Sequence, residues 1–183
     1  VSRVDRLVKR YEGFVSLPWD QSLAGPQRVW FVIYDKTDER RIRARIGEFE
    51  LATKEAGHGW QVIDLTDSFP KWMAGQKYRE NYFRSPKDLG ILLSDFRDQL
   101  IQDLGAVLAR DESTNSSVVA VMGIASLFGF VKVSDIINTV AKNICGRLLV
   151  FFPGEHENNN YRLLDARDGW NYLSVPITAA EGM

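Results

Sequence analysis

The sequence predicts an α/β domain: a mainly parallel sheet of about five strands, with helices on both faces and a C-terminal hairpin. Three observations predict it. Continuous apolar runs rich in β-branched and aromatic residues, VWFVIY (29–34) above all, fit strands buried on both faces, as in a parallel sheet. Other segments place apolar residues every three or four positions, the pattern of amphipathic helices. The two kinds of segment alternate along the chain, and that alternation builds parallel sheets covered by helices.

Each element has its own warrant. Val1, Val4, Leu7, Val8, Tyr11, Phe14 and Val15 share one face of a helix over 1–16, which packs on the domain and ends at Leu17-Pro18. Gly25-Pro26 marks a turn before the first strand, 29–34. Ile42, Ile46, Phe49, Ala52 and Ala56 line one helix over 39–56, stopped by Gly57-His58-Gly59. Residues 60–65 read as a second strand. A helical region covers 68–83, with Pro70 tolerated in its first turn. Ser85-Pro86 starts another helix, with Ser85 as cap and Asp88 at the positive end of the dipole. Leu89, Leu93, Phe96, Leu100, Leu104 and Val107 carry its stripe to about 109, and 111–117 is a polar loop. Val118–Met122 is the third strand. Ser134-Asp135 caps a helix over 135–143, Gly146 stops it, and Arg147–Phe152 is the fourth strand. Tyr161–Leu164 and Asn171–Val175 flank Asp165–Trp170 as a hairpin, since Asp-Gly lies between two apolar runs.

The totals bound the function. The 183 residues suit one domain, 1–183, with no internal repeat. The net charge of −1 provides no general field for nucleic acid or an anionic membrane, so direct nucleic-acid binding is not expected. The single cysteine, Cys145, excludes an intrachain disulfide and a multi-thiolate zinc site; its apolar context reads as a buried small hydrophobe. No apolar run is long enough to span a bilayer, and the charged N-terminus is unlike a secretory signal, so the expected location is the cytoplasm.

Candidate chemistry lies at the carboxyl ends of the strands, where open parallel sheets bind ligands. Those ends deliver Asp35-Lys36-Thr37-Asp38, then Asp64 and Thr66-Asp67, then Gly123–Gly129 with Ser126, then Glu155-His156-Glu157. Asp35, Asp67, Glu155 and His156 are the set a metal-dependent nuclease or phosphohydrolase would use. Against it, Asp38 and Asp67 stand where helix caps belong. No P-loop, GxGxxG, GxSxG or HExxH is present, so no cofactor and no small-molecule substrate is implied. His58 reads as a helix-end residue. Arg40, Arg41, Arg43 and Arg45, offset by Glu39, Glu48 and Glu50, read as an ion-paired helix face. In 151–175, Asn158–Asn160 favour positive φ, and Arg162, Asp165, Arg167 and Asp168 can pair with one another. Tyr161, Trp170 and Tyr172 suit either a core edge or an interface.

FFPGE (151–155) followed by NNNYRLLDARDGWNYLSVPIT (158–178) resembles the signature end of the BrxB family, a component of the bacterial BREX phage-defence system. The resemblance extends back through RLLVFFPG, VVAVMGIASLFGFVKVSDII, AGHGWQVIDLTDSF and RVWFVIYDKTDERRIRARIGEFELATKEAGHGW, from about Val4 to Thr178. It implies a small cytoplasmic accessory or scaffolding protein without established catalysis. The implied system methylates host adenines and blocks phage replication, and its other components include a methyltransferase, a large ATPase and an alkaline-phosphatase-like PglZ protein. The expectation is therefore a non-enzymatic adaptor that binds another BREX protein, PglZ foremost. Aromatic and arginine residues are the usual hot-spot chemistry, which makes Tyr161, Arg162, Arg167 and Trp170 the candidate contacts.

Overall fold

The apolar runs form the strands that their composition predicts, and the connections between them decide where everything else lies. The computed structural model describes residues 1–165, 170–171 and 173–180, with the backbone alone at 170 and 171. Strands β1 (Val29–Tyr34), β2 (Gly59–Asp64), β3 (Ser117–Met122), the first part of β4 (Arg147–Glu157) and β7 (Val175–Ile177) run parallel in the order β2-β3-β4-β1-β7. β1 and β4 are the central pair, in register from Val29 opposite Leu148 to Tyr34 opposite Pro153. The chain leaves β1 for the far edge at β2, steps back through β3 to β4, then passes over β1 to β7.

Parallel crossovers are right-handed, so connections travelling in opposite directions lie on opposite faces of the sheet. Helices α2 (Glu39–Ala44) and α3 (Ile46–Glu55) follow β1 and share the first face with α1 (Arg3–Val15). There Leu7, Tyr11 and Phe49 meet Trp30, Val32, Ala120 and Phe151. Tyr11 and Thr53 join α1 to α3 by a buried 2.6 Å hydroxyl–hydroxyl bond. Helices α4 (Ser68–Ala74), α5 (Arg79–Arg84), α6 (Leu93–Leu108) and α7 (Val133–Val140) belong to the β2-to-β4 connections. On that second face Phe96, Leu100, Ile136 and Val140 meet Phe31, Val119, Val121 and Val150. The interleaved residue numbers reflect the alternation of side chains along each strand.

Among the described residues the last crossover has no helix. β4 instead runs on past the sheet, and Gly154–Glu157 pairs antiparallel with β5 (Asn160–Leu163), which pairs with β6 (Trp170–Asn171). Asn158 and Asn159 make the turn at φ 50° and 64°, the left-handed pair that a two-residue hairpin of this hand requires. At Gly154 a Cβ would stand 2.0 Å from the Arg162 carbonyl oxygen, so only glycine lets the strands approach there. The hairpin puts Tyr161 into the second-face core at 0% exposure, 4.7 Å from the Phe31 ring, with its hydroxyl donating to the Ser174 carbonyl at 3.1 Å.

Several sequence expectations need correction. The helix expected over 39–56 breaks at Arg45, whose guanidinium is held by Glu48 and by Asp5 of α1. The region 68–83 is two short helices. Ser85 makes no side-chain cap, and Pro86–Ile91 is a 3-10 turn ahead of α6. Ser134 and Asp135 lie inside the first turn of α7, which Lys132 precedes. Cys145 is exposed, because it falls in the turn before β4 and not in a strand. Val175–Ile177 is a parallel edge strand, and Pro176 is tolerated because β7 pairs on one side with β1.

Tyr161→Ala is expected to lower the free energy of unfolding in urea by about 3–5 kcal/mol, and Tyr161→Phe by about 1 kcal/mol. A loss below about 1 kcal/mol for the alanine variant contradicts the role given to this ring.

Candidate functional site

In a sheet of this kind the crevice lies at the carboxyl ends of adjacent strands whose connections leave to opposite faces. Here those strands are β1 and β4. On one side stand Asp35–Asp38, on the other the β4–β5 ribbon. An ion pair between Lys36 and Asp165 ties the two sides together. Glu155 and Arg162 face each other across the ribbon register at 3.9 Å.

Four carboxylates here, Asp35, Asp38, Glu39 and Asp64, are engaged within the fold. Asp35 accepts from the Thr37 hydroxyl at 2.6 Å and the Thr37 N–H at 2.8 Å, and those bonds hold its carboxyl below the usual range. Asp38 is buried between two guanidiniums, Arg41 at 2.9 Å and Arg3 at 3.3 Å, and does not cap α2 with its side chain. Tyr34 donates its hydroxyl to Glu39; burial, reinforced by that carboxylate, pushes the phenol up. Glu39 also accepts from Arg43 at 2.8 Å, and Arg43 reaches Asp64 at 2.9 Å and the Thr66 hydroxyl. One arginine thus links the loops after β1 and β2.

The loop after β3 closes the same network. Gly123 lies at φ 78°, and a Cβ there would stand 2.5 Å from the Thr66 amide nitrogen. Ser126 donates to the Leu65 and Gly123 carbonyls, so its hydroxyl holds two loops together. Asp67 precedes α4 without a side-chain cap, and His156 leans on Tyr161 at 4.6 Å, where burial pushes its imidazole down. Among the described residues no three His, Cys, Asp or Glu side chains gather as cation ligands, so Asp35, Asp67, Glu155 and His156 do not make a set.

The four candidate contacts separate. Tyr161 is core, which corrects its place in an exposed patch: a side chain at 0% exposure cannot meet a partner while the domain is folded. Arg162 is at the surface of the ribbon beside Glu155. Arg167 lies outside the described residues. The backbone of Trp170 pairs with Tyr161 in register, and its side chain lies outside the description.

Two features escaped the sequence reading. At the amino edge of the sheet Arg147 is 3% exposed, with Trp19 at 4.9 Å and Trp30 at 5.7 Å from its guanidinium. It donates to the Gly146 and Asp20 carbonyls, and Arg28 fastens the same loop through the Gln21, Leu23 and Ile144 carbonyls. His58 stacks on Trp19 at 3.7 Å and reaches the Ser116 hydroxyl at 2.9 Å, a part in this layer beyond ending α3. The second feature lies between α4 and α6. No residue from 74 to 95 is buried, and Tyr78, Phe83 and Ile91 are 55%, 62% and 83% exposed. The signal was present in KWMAGQKYRENYFRSPKD (71–88), where aromatic and basic residues interleave without a helical stripe.

The Arg43 network predicts an acid dependence. Burial opposes ionisation of Asp64, yet the bonds from Arg43 and Thr66 outweigh it and bring its carboxyl from 3.8 to about 2. A lowered folded-state value contributes stability that is complete above the unfolded value and lost as pH falls through the folded one. Melting temperature is therefore expected to drop between about pH 4 and pH 2, and Asp64→Asn to flatten that limb while melting lower at neutral pH. An unchanged acid limb in the variant refutes the assignment.

Comparison of the chain with family models, with curated proteins and with solved structures finds no match in any of the three.

Proposed function

We propose that the protein is a non-enzymatic adaptor: a cytoplasmic component of a bacterial BREX anti-phage system that binds another component of it, the PglZ protein foremost. The family likeness of 151–178 and of the segments before it supplies the system and the partner. The observation that carries the adaptor reading is the stretch 74–95, where large apolar side chains are held in solvent on a segment that buries none of its residues. The internal engagement of the carboxyl-edge charges supports the same reading, since Asp35, Asp38, Asp64 and Ser126 are all partnered within the domain. Arg162, Arg167 and Trp170 remain the second proposed contact, without Tyr161.

Light scattering behind size exclusion tests the reading, on the protein alone and mixed with the PglZ-like protein of its own locus. The expected result is a stoichiometric co-eluting complex. Separate elution at micromolar concentrations removes PglZ as the partner. Arg167→Ala combined with Trp170→Ala is expected to weaken the complex with little change in melting temperature; unchanged affinity removes the hairpin contact.

A further inference from the structure

We infer that the β2 edge of the sheet is a dimerisation surface whose occupant is β2 of a second copy of this chain, paired antiparallel about a two-fold axis at Val62. The inference stands apart from the adaptor reading and begins with the ladder. Gly59 donates its N–H to the Ser116 carbonyl at 3.0 Å, and Leu65 donates to the Met122 carbonyl at 2.9 Å. The parallel register holds without a break from Gly59 opposite Ser117 to Asp64 opposite Met122. In a parallel ladder both main-chain groups of every second residue point to the same neighbour. Gly59, Gln61, Ile63 and Leu65 therefore face β3, and the N–H and C=O groups of Trp60, Val62 and Asp64 face outward. Among the described residues no strand and no hydrogen bond meets them. None of the six β2 residues is buried, whereas β1 and β3 are buried throughout.

A sheet edge selects its occupant by hydrogen bonding, and what it takes is a strand. Three observations make that strand a second β2. The outward residues 60, 62 and 64 are symmetric about Val62. Rotation by half a turn there sets Val62 opposite Val62 of the other copy and Trp60 opposite Asp64 at both ends. Each is a hydrogen-bonded pair, so about six bonds form and the outward groups of both copies are satisfied. The side chains suit that register. Residues 59–63 are GWQVI, without a charge, and Val62, 49% exposed, meets its own copy. The two Asp64 carboxylates are four residues apart, about 13 Å along the strands, beyond the Debye length at physiological salt. The edge is also unguarded. Edge strands are kept from pairing by shortness, proline, lysine or a bulge. The opposite edge, β7, has three residues and Pro176, whereas β2 has six residues with no proline, no lysine and an unbroken register. With one edge open and the other blunted, pairing closes at a dimer and does not propagate.

Sedimentation velocity on the full chain, across a micromolar concentration series, tests the pairing with Val62→Lys, Val62→Glu and their equimolar mixture. The expected result is a concentration-dependent dimer. Each variant alone should self-associate about tenfold more weakly, because like charges then face each other at the axis. The mixture should recover the dimer, since Lys then faces Glu, and a merely structural role for Val62 does not give that recovery. Val62 is exposed, so melting temperatures should hold. Amide hydrogen exchange on the unaltered chain needs no variant. Exchange at Trp60, Val62 and Asp64 should slow as concentration rises, while Gln61 and Ile63, bonded to β3, should not change. A monomer at every concentration, a dimer indifferent to both substitutions, or a mixture no more associated than its components overturns the proposal. So does exchange at 60, 62 and 64 that ignores concentration. A monomer whose complex with a different protein is lost in both variants also overturns it, and assigns the edge to that protein's strand.

Discussion

The handedness of the crossovers at the β1–β4 pair organises the domain. Both strands are central, and their exits run in opposite directions along the sheet. Right-handed connection then sends α2 and α3 to one face and the path from β4 to β7 to the other. The first face of β1 receives α1 and α3, but among the described residues the β4-to-β7 connection brings no helix to its second face. The ribbon covers it: β4 continues beyond the sheet, Asn158-Asn159 reverses the chain, and Tyr161 drops onto Phe31. The crowded C-terminal stretch is thus first a structural cover, and its most conspicuous phenol is committed to the core.

The same topology explains the charged residues at the carboxyl edge. Loops that leave adjacent strands toward opposite faces expose backbone ends and bring polar side chains close together. In this chain Asp35, Asp38, Glu39 and Asp64 fasten the loops around them. Asp35 turns back on Thr37, Asp38 is enclosed by arginines, and Arg43 spans Glu39 and Asp64. A buried carboxylate with two guanidiniums is stabilised only while both remain, so each such pair couples the loops around it. Part of the edge that hosts ligands in many sheets, from Asp35 to Thr66, is taken up here by the fold's own fastenings.

What the sequence made legible follows the strength of its periodicity. VWFVIY reads as a doubly buried strand because no polar residue interrupts it, and all six residues are buried. The break at Arg45 was illegible because Ile42, Ile46 and Phe49 keep helical spacing across it, while the long-range partner, Asp5, lies 40 residues away. The extension of β4 was hidden by its composition: PGEHE is polar because a two-stranded ribbon leaves alternate side chains in solvent. Tyr161 was ambiguous for a physical reason. A phenol serves a core edge and an interface equally well, and only the topology reveals that Phe31 needs covering. Cys145 misled through its neighbours, which are buried while it sits in the turn.

The excursion between α4 and α6 is where local consistency fails, and that failure is informative. Ordering each backbone residue costs about 1–2 kcal/mol, normally offset by burial and cooperative hydrogen bonding. From residue 74 to 95 the domain supplies no buried side chain, and α5 has six residues, far too short to be stable by itself. Most connections in compact domains are only a few residues long, so this length is not needed to close the chain. Solubility argues against it as well, because exposed Phe and Ile invite association. A segment that buries none of its residues, yet holds large aromatic and apolar side chains in solvent, is the feature on which the adaptor proposal rests.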